Sequence, residues 1–297
     1  MTDKALFHAI GNQISERTGQ PFTPSAGRGV GGGCINRATV LEDGNRRYFV
    51  KVNASSRYDM FVAEALGLED IARTKTVRVP MPVCHGTVDN ASFLVLEYIP
   101  LQGAGAAAAA QLGQALAAMH RHSHDSFGWE IDNTIGSTPQ HNTPAGDWID
   151  FLREQRLGFQ LAHAASKGHG GRLQQLGESL LAVVDVFFTD YSPRPALLHG
   201  DLWGGNFAAT DGGTPVIFDP AVYYGDREAD LAMTELFGGF APSFYAAYRE
   251  AWPLDAGYAV RRDLYNLYHV LNHLNIFGGG YGGQAQHMME RLLAHAR

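Results

Sequence analysis

The residues of this 297-residue chain best placed to do chemistry are an aspartate and an asparagine five apart, with a second aspartate thirteen residues beyond the asparagine. They stand in His199-Gly200-Asp201-Leu202-Trp203-Gly204-Gly205-Asn206 and in Phe218-Asp219-Pro220. A short apolar run precedes each set, Ala196–Leu198 before the first and Val216–Phe218 before the second, so both sets should sit just past a strand. That placement suits phosphoryl transfer. Asp201 would take the proton of an attacking hydroxyl, while Asn206 and Asp219 would hold a metal on nucleotide phosphates. Asp and Asn after a strand also build ordinary turns, so the rest of the chain must supply the other parts of such a site.

A glycine-rich stretch supplies one of them. Residues 27–33 read Gly-Arg-Gly-Val-Gly-Gly-Gly, in which Gly27, Gly29 and Gly32 formally satisfy G-x-G-x-x-G. The dinucleotide fingerprint needs a strand before that pattern and a helix after it. Here Pro21 and Pro24 precede the loop. Ile35–Leu41, a turn at Glu42-Asp43-Gly44-Asn45 and Arg47–Val52 follow it, which predicts a hairpin with the glycines on its leading edge. No Gly-Lys-Ser/Thr is present, so a Walker A loop is excluded. A glycine-rich hairpin carrying Gly31, Gly32 and Gly33 can cover phosphates, as in kinases; the alternative is a flexible surface loop.

Lys51 lies inside the second strand of that hairpin. Strand alternation puts it on the face of Phe49, opposite Val50 and Val52. A lysine between apolar neighbours in mid-strand calls for an anion, either a phosphate or a carboxylate. Thirteen residues on, Glu64 falls on a predicted helix whose apolar stripe is Phe61, Ala65 and Leu68. A half-buried Glu there needs a cation. A Lys–Glu pair that positions nucleotide phosphates accounts for both residues.

Composition sets the frame for these parts. The chain is 45% hydrophobic and 18% charged, as in a soluble globular protein large enough for two lobes. No apolar run approaches the ~20 residues of a membrane span. The N-terminus carries no charged-then-apolar signal region, which makes the cytoplasm the default location. A net charge of −7 argues against nucleic acid as a partner. Cys34 and Cys84 are the only cysteines, too few for a disulfide scaffold or a Cys-rich zinc site. Ala-rich Gly103–Ala110 runs into Leu112, Leu116 and Met119, a helical face. Pro100 and Gly103 follow the apolar strand Phe93–Tyr98 and mark a hinge between residues 1–99 and 100–297.

With these parts in order, the chain resembles the kinase-like phosphotransferases of small molecules, and among them the fructosamine kinase (ketosamine 3-kinase) family. The resemblance runs nearly end to end. It is carried by Gly32–Arg37, Phe49–Asn53, Met60 to Glu64, Phe93–Tyr98, Thr138-Pro139-Gln140 with Asn142, His199–Asn206 and Phe218–Ala221. Further matches are Tyr223-Tyr224-Gly225, Leu231–Met233, Phe237–Phe240 and Leu271-Asn272-His273. The tryptophan of His-Gly-Asp-Leu-Trp and the Phe-Asp-Pro sequence are its specific parts. Aminoglycoside and choline phosphotransferases share the His-Gly-Asp…Asn skeleton but usually lack both.

The resemblance implies an α+β, two-lobed protein-kinase-like fold, with an antiparallel sheet plus helix in the N-terminal lobe and a larger, mainly helical C-terminal lobe. ATP with Mg2+ would lie between them. Asp201 would be the base, Asn206 and Asp219 the magnesium ligands, and Lys51, oriented by Glu64, a phosphate contact. Leu96, Glu97 and Tyr98 would border the adenine through their backbone groups. Trp203 would offer an aromatic wall to a sugar-amine substrate, or else plug the core. The substrate would be a small or protein-bound ketosamine phosphorylated on its sugar 3-hydroxyl. An aminoglycoside or amino-alcohol kinase and a catalytically silent kinase-like binding module are the alternatives. Pro220 fixes its own φ, which argues against a flipping activation segment.

Other residues carry weaker expectations. Asp226, Arg227, Glu228 and Asp230 read as a solvated helix start; the resemblance to kinase-like folds adds that Asp230 would brace the catalytic loop backbone, and Glu228 could face the substrate amine. His120, His122 and His124 alternate after a helix, and His269 and His273 are four apart; both groups read as structural rather than metal-binding. Gly278–Gly283 reads as a turn. Cys34, beside glycines, Arg37 and Lys51, would have a reactive thiolate. The resemblance adds that it could link two chains by a disulfide, making the protein a monomer or a redox-linked homodimer; the alternative is an inert small residue. Cys84 reads as a packed thiol.

Overall fold

The computed structural model describes residues 2–25, 27–30 and 35–297. The chain opens with helix α1 (Asp3–Thr18), begun by Thr2, whose hydroxyl accepts the Ala5 N–H, and closed by Gly19 in the left-handed region. Strands β1 (Gly27–Val30), β2 (Arg37–Asp43) and β3 (Arg46–Ala54) follow. Helix α2 (Tyr58–Arg73) then leads to β4 (Pro82–Val88) and β5 (Ala91–Glu97). The five strands form one antiparallel sheet in the order β1-β2-β3-β5-β4.

The sheet separates two cores, as strand alternation requires. Val50, Val52, Phe93 and Val95 face α1 and pack on Leu6, Ile10, Ile14 and Phe22. Leu94 and Leu96 face the other way, towards Phe61, Ala65, Leu68 and Ile71 of α2, in a core that runs on into the helical part of the chain. Residues 27–33 were expected to be loop throughout, but Gly27–Val30 is an edge strand paired Gly27↔Leu41 to Val30↔Ala38. Main-chain bonding to β2 outweighs the low strand preference of glycine.

Past β6 (Leu101–Gln102) comes α3 (Ala106–Met119), then the hairpin β7 (Asn133–Ile135) and β8 (Thr138–Gln140). Helices α4 (Trp148–Phe151), α5 (Phe159–Ser166) and α6 (Arg172–Leu181) follow, with a π-helical stretch at Leu152–Gly158. The next strands are β9 (Ala196–Leu198), β10 (Phe207–Thr210), β11 (Pro215–Ile217) and β12 (Tyr223–Gly225). Helices α7 (Arg227–Leu236), α8 (Pro242–Ala251), α9 (Tyr258–Phe277) and α10 (Tyr281–His295) complete the lobe. Helix α9 is buried along most of its length and is its central post.

Two small antiparallel pairings position the chemistry. β9 pairs with β12, Leu198 opposite Tyr223, and β10 pairs with β11, Phe207 opposite Ile217. Residues 199–206 therefore join β9 to β10 directly beside residues 218–222, which join β11 to β12. Among the described residues no helix is long and apolar enough to cross a membrane.

Candidate active site

The Lys51 side chain leaves β3 on the α2 side of the sheet and ends between two carboxylates. Its Nζ lies 2.5 Å from Glu64 Oε1 and 2.5 Å from Asp219 Oδ1. Burial pulls its pKa down, but the charges of Asp219 and Glu64 outweigh this and hold the ammonium protonated well above its ordinary value. Asp219 adopts φ +58, a left-handed conformation that Asp tolerates better than most residues, and its side chain remains 46% exposed. Helix α2, which carries Glu64, is tied to the lower lobe. The Trp129 indole N–H donates to Asp70 Oδ2 at 2.9 Å. At Gly67 a Cβ would come within 2.9 Å of Val222 Cγ2, so only glycine lets the helix approach the 218–222 segment this closely.

Asp201 faces the same cleft. Its backbone carbonyl accepts Asn206 Nδ2–H at 2.9 Å, and its Oδ2 lies 3.3 Å from the same nitrogen. Burial and the charge of Asp219 push its carboxyl up to about 7. The amide nitrogen of Asn206 is turned to Asp201 and lies 3.5 Å from Asp219 O, which leaves its amide oxygen as a hard ligand atom. A carbonyl oxygen plus one carboxylate suits Mg2+, which keeps several waters and shares substrate phosphates. Among the described residues no cluster of three or more His, Cys, Asp or Glu able to hold a metal occurs.

The loop bearing Asp201 is held from below. Asp230 accepts the backbone N–H of His199 at 2.7 Å and of Gly200 at 2.8 Å, and His120 Nε2–H at 3.1 Å. Burial would raise the Asp230 pKa, but the His120 hydrogen bond and the neighbouring charges and N–H groups outweigh it and lower the pKa. Gly200 has φ +80, and a Cβ there would meet Ala221 O at 2.0 Å, so the two loops can cross only at glycine.

His199 and His120 are residues for which the sequence suggested no such role. His199 Nε2–H donates to Phe218 O at 3.0 Å, while its Nδ1 accepts the Asp201 N–H at 3.3 Å, so one neutral ring ties the Asp201 loop to the Asp219 loop. Burial lowers its pKa and keeps it in that state. His120 is buried against Asp230 and Tyr248 OH, whereas His124 stacks near Tyr224. A polar layer was missed as well. Gln140 Nε2–H donates to Ala221 O at 3.1 Å, and Asn133 Nδ2–H to Val222 O at 2.8 Å. The buried Arg156 holds Asn142 Oδ1 at 2.7 Å and stacks over Tyr223 at 4.1 Å. The signal available was polar residues at alternate positions of β8 and beyond, Gln140 and Asn142, where strand alternation places both on one face.

Two expectations are corrected. The 226–230 charges are not solvated: Asp226, Arg227, Glu228 and Asp230 are all buried. Glu228 does not face a substrate amine. It is fully buried and gripped by Arg261, Nε to Oε2 at 2.7 Å and Nη2 to Oε1 at 3.1 Å, because a buried carboxylate needs a cation of its own. Arg261 supplies the counter-charge that short-range sequence reading could not pair, while Arg227 donates to Tyr248 Oη and to the carbonyls of Trp252 and Pro253.

The remaining residues are placed as follows. Leu96 is buried at the end of β5. Glu97 pairs with Arg78, and its backbone N–H donates to Met81 O at 2.8 Å, so this one group of the three is not available to a base. Arg47 lies over the Tyr98 ring at 4.3 Å. Trp203 is 39% exposed and does not plug the core; its ring meets Phe237 edge-on. Burial pushes the Cys84 thiol up to about 11, as fits a packed thiol. Gly31, Gly32, Gly33 and Cys34 lie outside the described residues.

Residues 6–295 match the family model described as fructosamine kinase. A protein named as a probable ketoamine kinase, from Synechocystis sp., is 49% identical over 97% of this chain and 97% of its own. The chloroplastic protein-ribulosamine 3-kinase of Arabidopsis thaliana is 46% identical over 89% of this chain and 81% of its own. A crystal structure named for a fructosamine-3-kinase, from Haemophilus somnus, superposes with a TM-score of 0.88 at 29% identity, covering 96% of each chain. An aminoglycoside phosphotransferase with ADP and hygromycin B superposes at 0.61 with 15% identity over 96% of this chain and 98% of its own, a likeness of fold.

Proposed function

The chain belongs to the fructosamine kinase family, and from that premise and the geometry of the cleft we propose that it transfers the γ-phosphoryl group of ATP to the sugar 3-hydroxyl of a ketosamine. The observation that carries this reading is the convergence, on one cleft, of Asp201 and the Lys51–Glu64–Asp219 triangle. A catalytically silent module would have no use for a buried lysine shared by two carboxylates.

Residues 1–99 form the nucleotide-binding part and residues 100–297 the part that holds the base and the acceptor. Lys51 binds phosphate oxygens and is kept cationic for it by Glu64. Asn206 and Asp219 are the groups that would hold Mg2+, which when bound offsets phosphate charge. Asp201 accepts the acceptor's hydroxyl proton as its oxygen bonds to phosphorus and ADP leaves. A carboxyl pushed up to about 7 is a stronger base than an ordinary one, which favours that transfer near neutral pH. Trp203 stands two residues from the base and offers its exposed face to the sugar.

The test is ATP consumption with a ribulosamine, a fructosamine and an aminoglycoside offered side by side. Turnover of a ketosamine, with little on the aminoglycoside, is expected. Equal turnover of the aminoglycoside would overturn the ketosamine assignment.

A further inference from the structure

A run of rings leads away from the base. Trp203 meets Phe237 with centroids 6.4 Å apart, and Phe237 meets His273 at 4.7 Å. His273 in turn meets Phe277 at 5.5 Å and Tyr281 at 5.2 Å. This is surface rather than core at both ends, for Trp203 is 39% and Phe277 53% exposed. The run thus starts two residues from Asp201 and ends where α9 turns into α10.

His273 has a defined tautomer. Its Nδ1 lies 2.8 Å from the carbonyl oxygen of His269, which can only accept, so Nδ1 carries the proton and Nε2 presents a lone pair. Burial lowers its pKa, so the ring is neutral at physiological pH. One turn earlier the buried His269 leaves its own Nδ1 without a hydrogen-bond partner among the described residues. The His273 Nε2 therefore gives this part of α9 acceptor capacity beside electron-rich ring faces. A cation that carries an N–H satisfies both features, since the faces attract the charge and a neutral imidazole nitrogen accepts the proton.

We propose that His273, flanked by Phe237 and Phe277, is the subsite for the substrate's secondary ammonium group and sets the preference for ketosamines over sugars without an amine. The proposal rests on the ketosamine-kinase reading. In such a substrate the amine sits on the carbon two removed from the one bearing the 3-hydroxyl, so His273 and Asp201 would hold two neighbouring groups of one molecule.

The test compares kcat/KM for a ketosamine with that for the same ketose carrying an ether oxygen in place of the amine nitrogen. His273→Phe keeps an aromatic ring among its neighbours and removes the acceptor. It should cut the amine-over-ether preference about tenfold or more, as expected for a hydrogen bond to a charged group. The loss should appear in the KM for the amine, with the KM for ATP unmoved. Phe277→Ala, at a half-exposed position, should cut the preference about two- to fivefold. A preference kept in His273→Phe, even with both rates lowered together, overturns the proposal, as does a wild type with no preference. A wild type that phosphorylates neither compound refutes the ketosamine reading itself, a result distinct from either.

Discussion

The cleft and the layer beneath it differ in the partners they give their carboxylates. In the cleft, Asp201 has no cation of its own and is pushed up by burial and by Asp219, while the Asp219 side chain stays half open beside Lys51. Beneath it, Asp230 is saturated with two backbone N–H groups and His120, and its pKa is lowered despite burial. Glu228 is forked to Arg261, which also holds Asp255, although burial still pushes its carboxyl up to about 7. The lower layer spends its donors on internal acceptors and so fixes a shape. The upper one leaves charge unsatisfied, which is unfavourable for the empty protein and useful once phosphates and a hydroxyl arrive.

Replacing the base should break this contrast most sharply. Asp201→Asn should lower turnover about 10²–10⁴-fold, the usual cost of removing a general base, with nucleotide affinity retained. The same change should stabilise the empty protein at alkaline pH. Because the folded-state pKa is raised from 3.8 to about 7, the wild-type carboxyl contributes stability that is present below its unfolded value and lost as pH rises through about 7. Thermal melts of the two proteins should therefore coincide near pH 4, separate as the pH rises to about 7 with the mutant higher, and keep a constant gap above it. A mutant with near-normal turnover would remove Asp201 from the role of base.

The lower layer should answer in stability rather than chemistry. Arg261→Met leaves Glu228 buried without a cation, and breaking a buried pair in this way costs about 3–5 kcal/mol. Denaturant unfolding should show that loss, while the folded fraction keeps its KM for ATP. Unchanged stability would mean that the layer does not brace the lobe.

How far each region could be read in advance follows from the same contrast. Lys51 and Glu64 could be singled out because a charged residue inside an apolar strand or helix stripe is conspicuous locally, and Asp201, Asn206 and Asp219 by their spacing just past two short apolar runs. The 226–230 charges were misread as solvated because their partners are remote: Arg261 is 33 residues from Glu228, and His120 is 110 from Asp230. His199 escaped notice for a related reason, since its two bonds gain meaning only when the loops cross at Gly200. Strand Gly27–Val30 was hidden because glycines give no alternation to read. Strands β2, β3 and β5 and helix α2 were legible because alternation and the Phe61–Leu68 stripe are short-range patterns.

The cleft itself can be tested on its two sides at moderate cost. Lys51→Met should raise the KM for ATP and lower kcat, together about 10- to 100-fold in kcat/KM, the range for losing a hydrogen bond to a charged group. It also strands Glu64, whose buried carboxylate then takes up a proton. The signature to look for is loss on the nucleotide side with the acceptor KM little changed. An effect confined to the acceptor would contradict the placement of Lys51 on phosphates.

The smallest expected effect concerns the tie between α2 and the lower lobe. Asp70 and Trp129 touch neither cleft carboxylates nor Lys51, yet their bond sits two turns along the helix from Glu64. Trp129→Phe keeps the ring in its buried place and removes only the N–H. A single hydrogen bond is worth about 1 kcal/mol net, so kcat/KM for ATP should fall about three- to fivefold through a less well-held Glu64. Asp70→Asn, whose amide oxygen can still accept the indole N–H, should retain most of the activity, whereas Asp70→Ala should match Trp129→Phe. A purely structural tie would lower stability in all these variants without separating the ATP and acceptor KM values. A change on the ATP side alone is what marks the bond as positioning the Lys51–Glu64 pair.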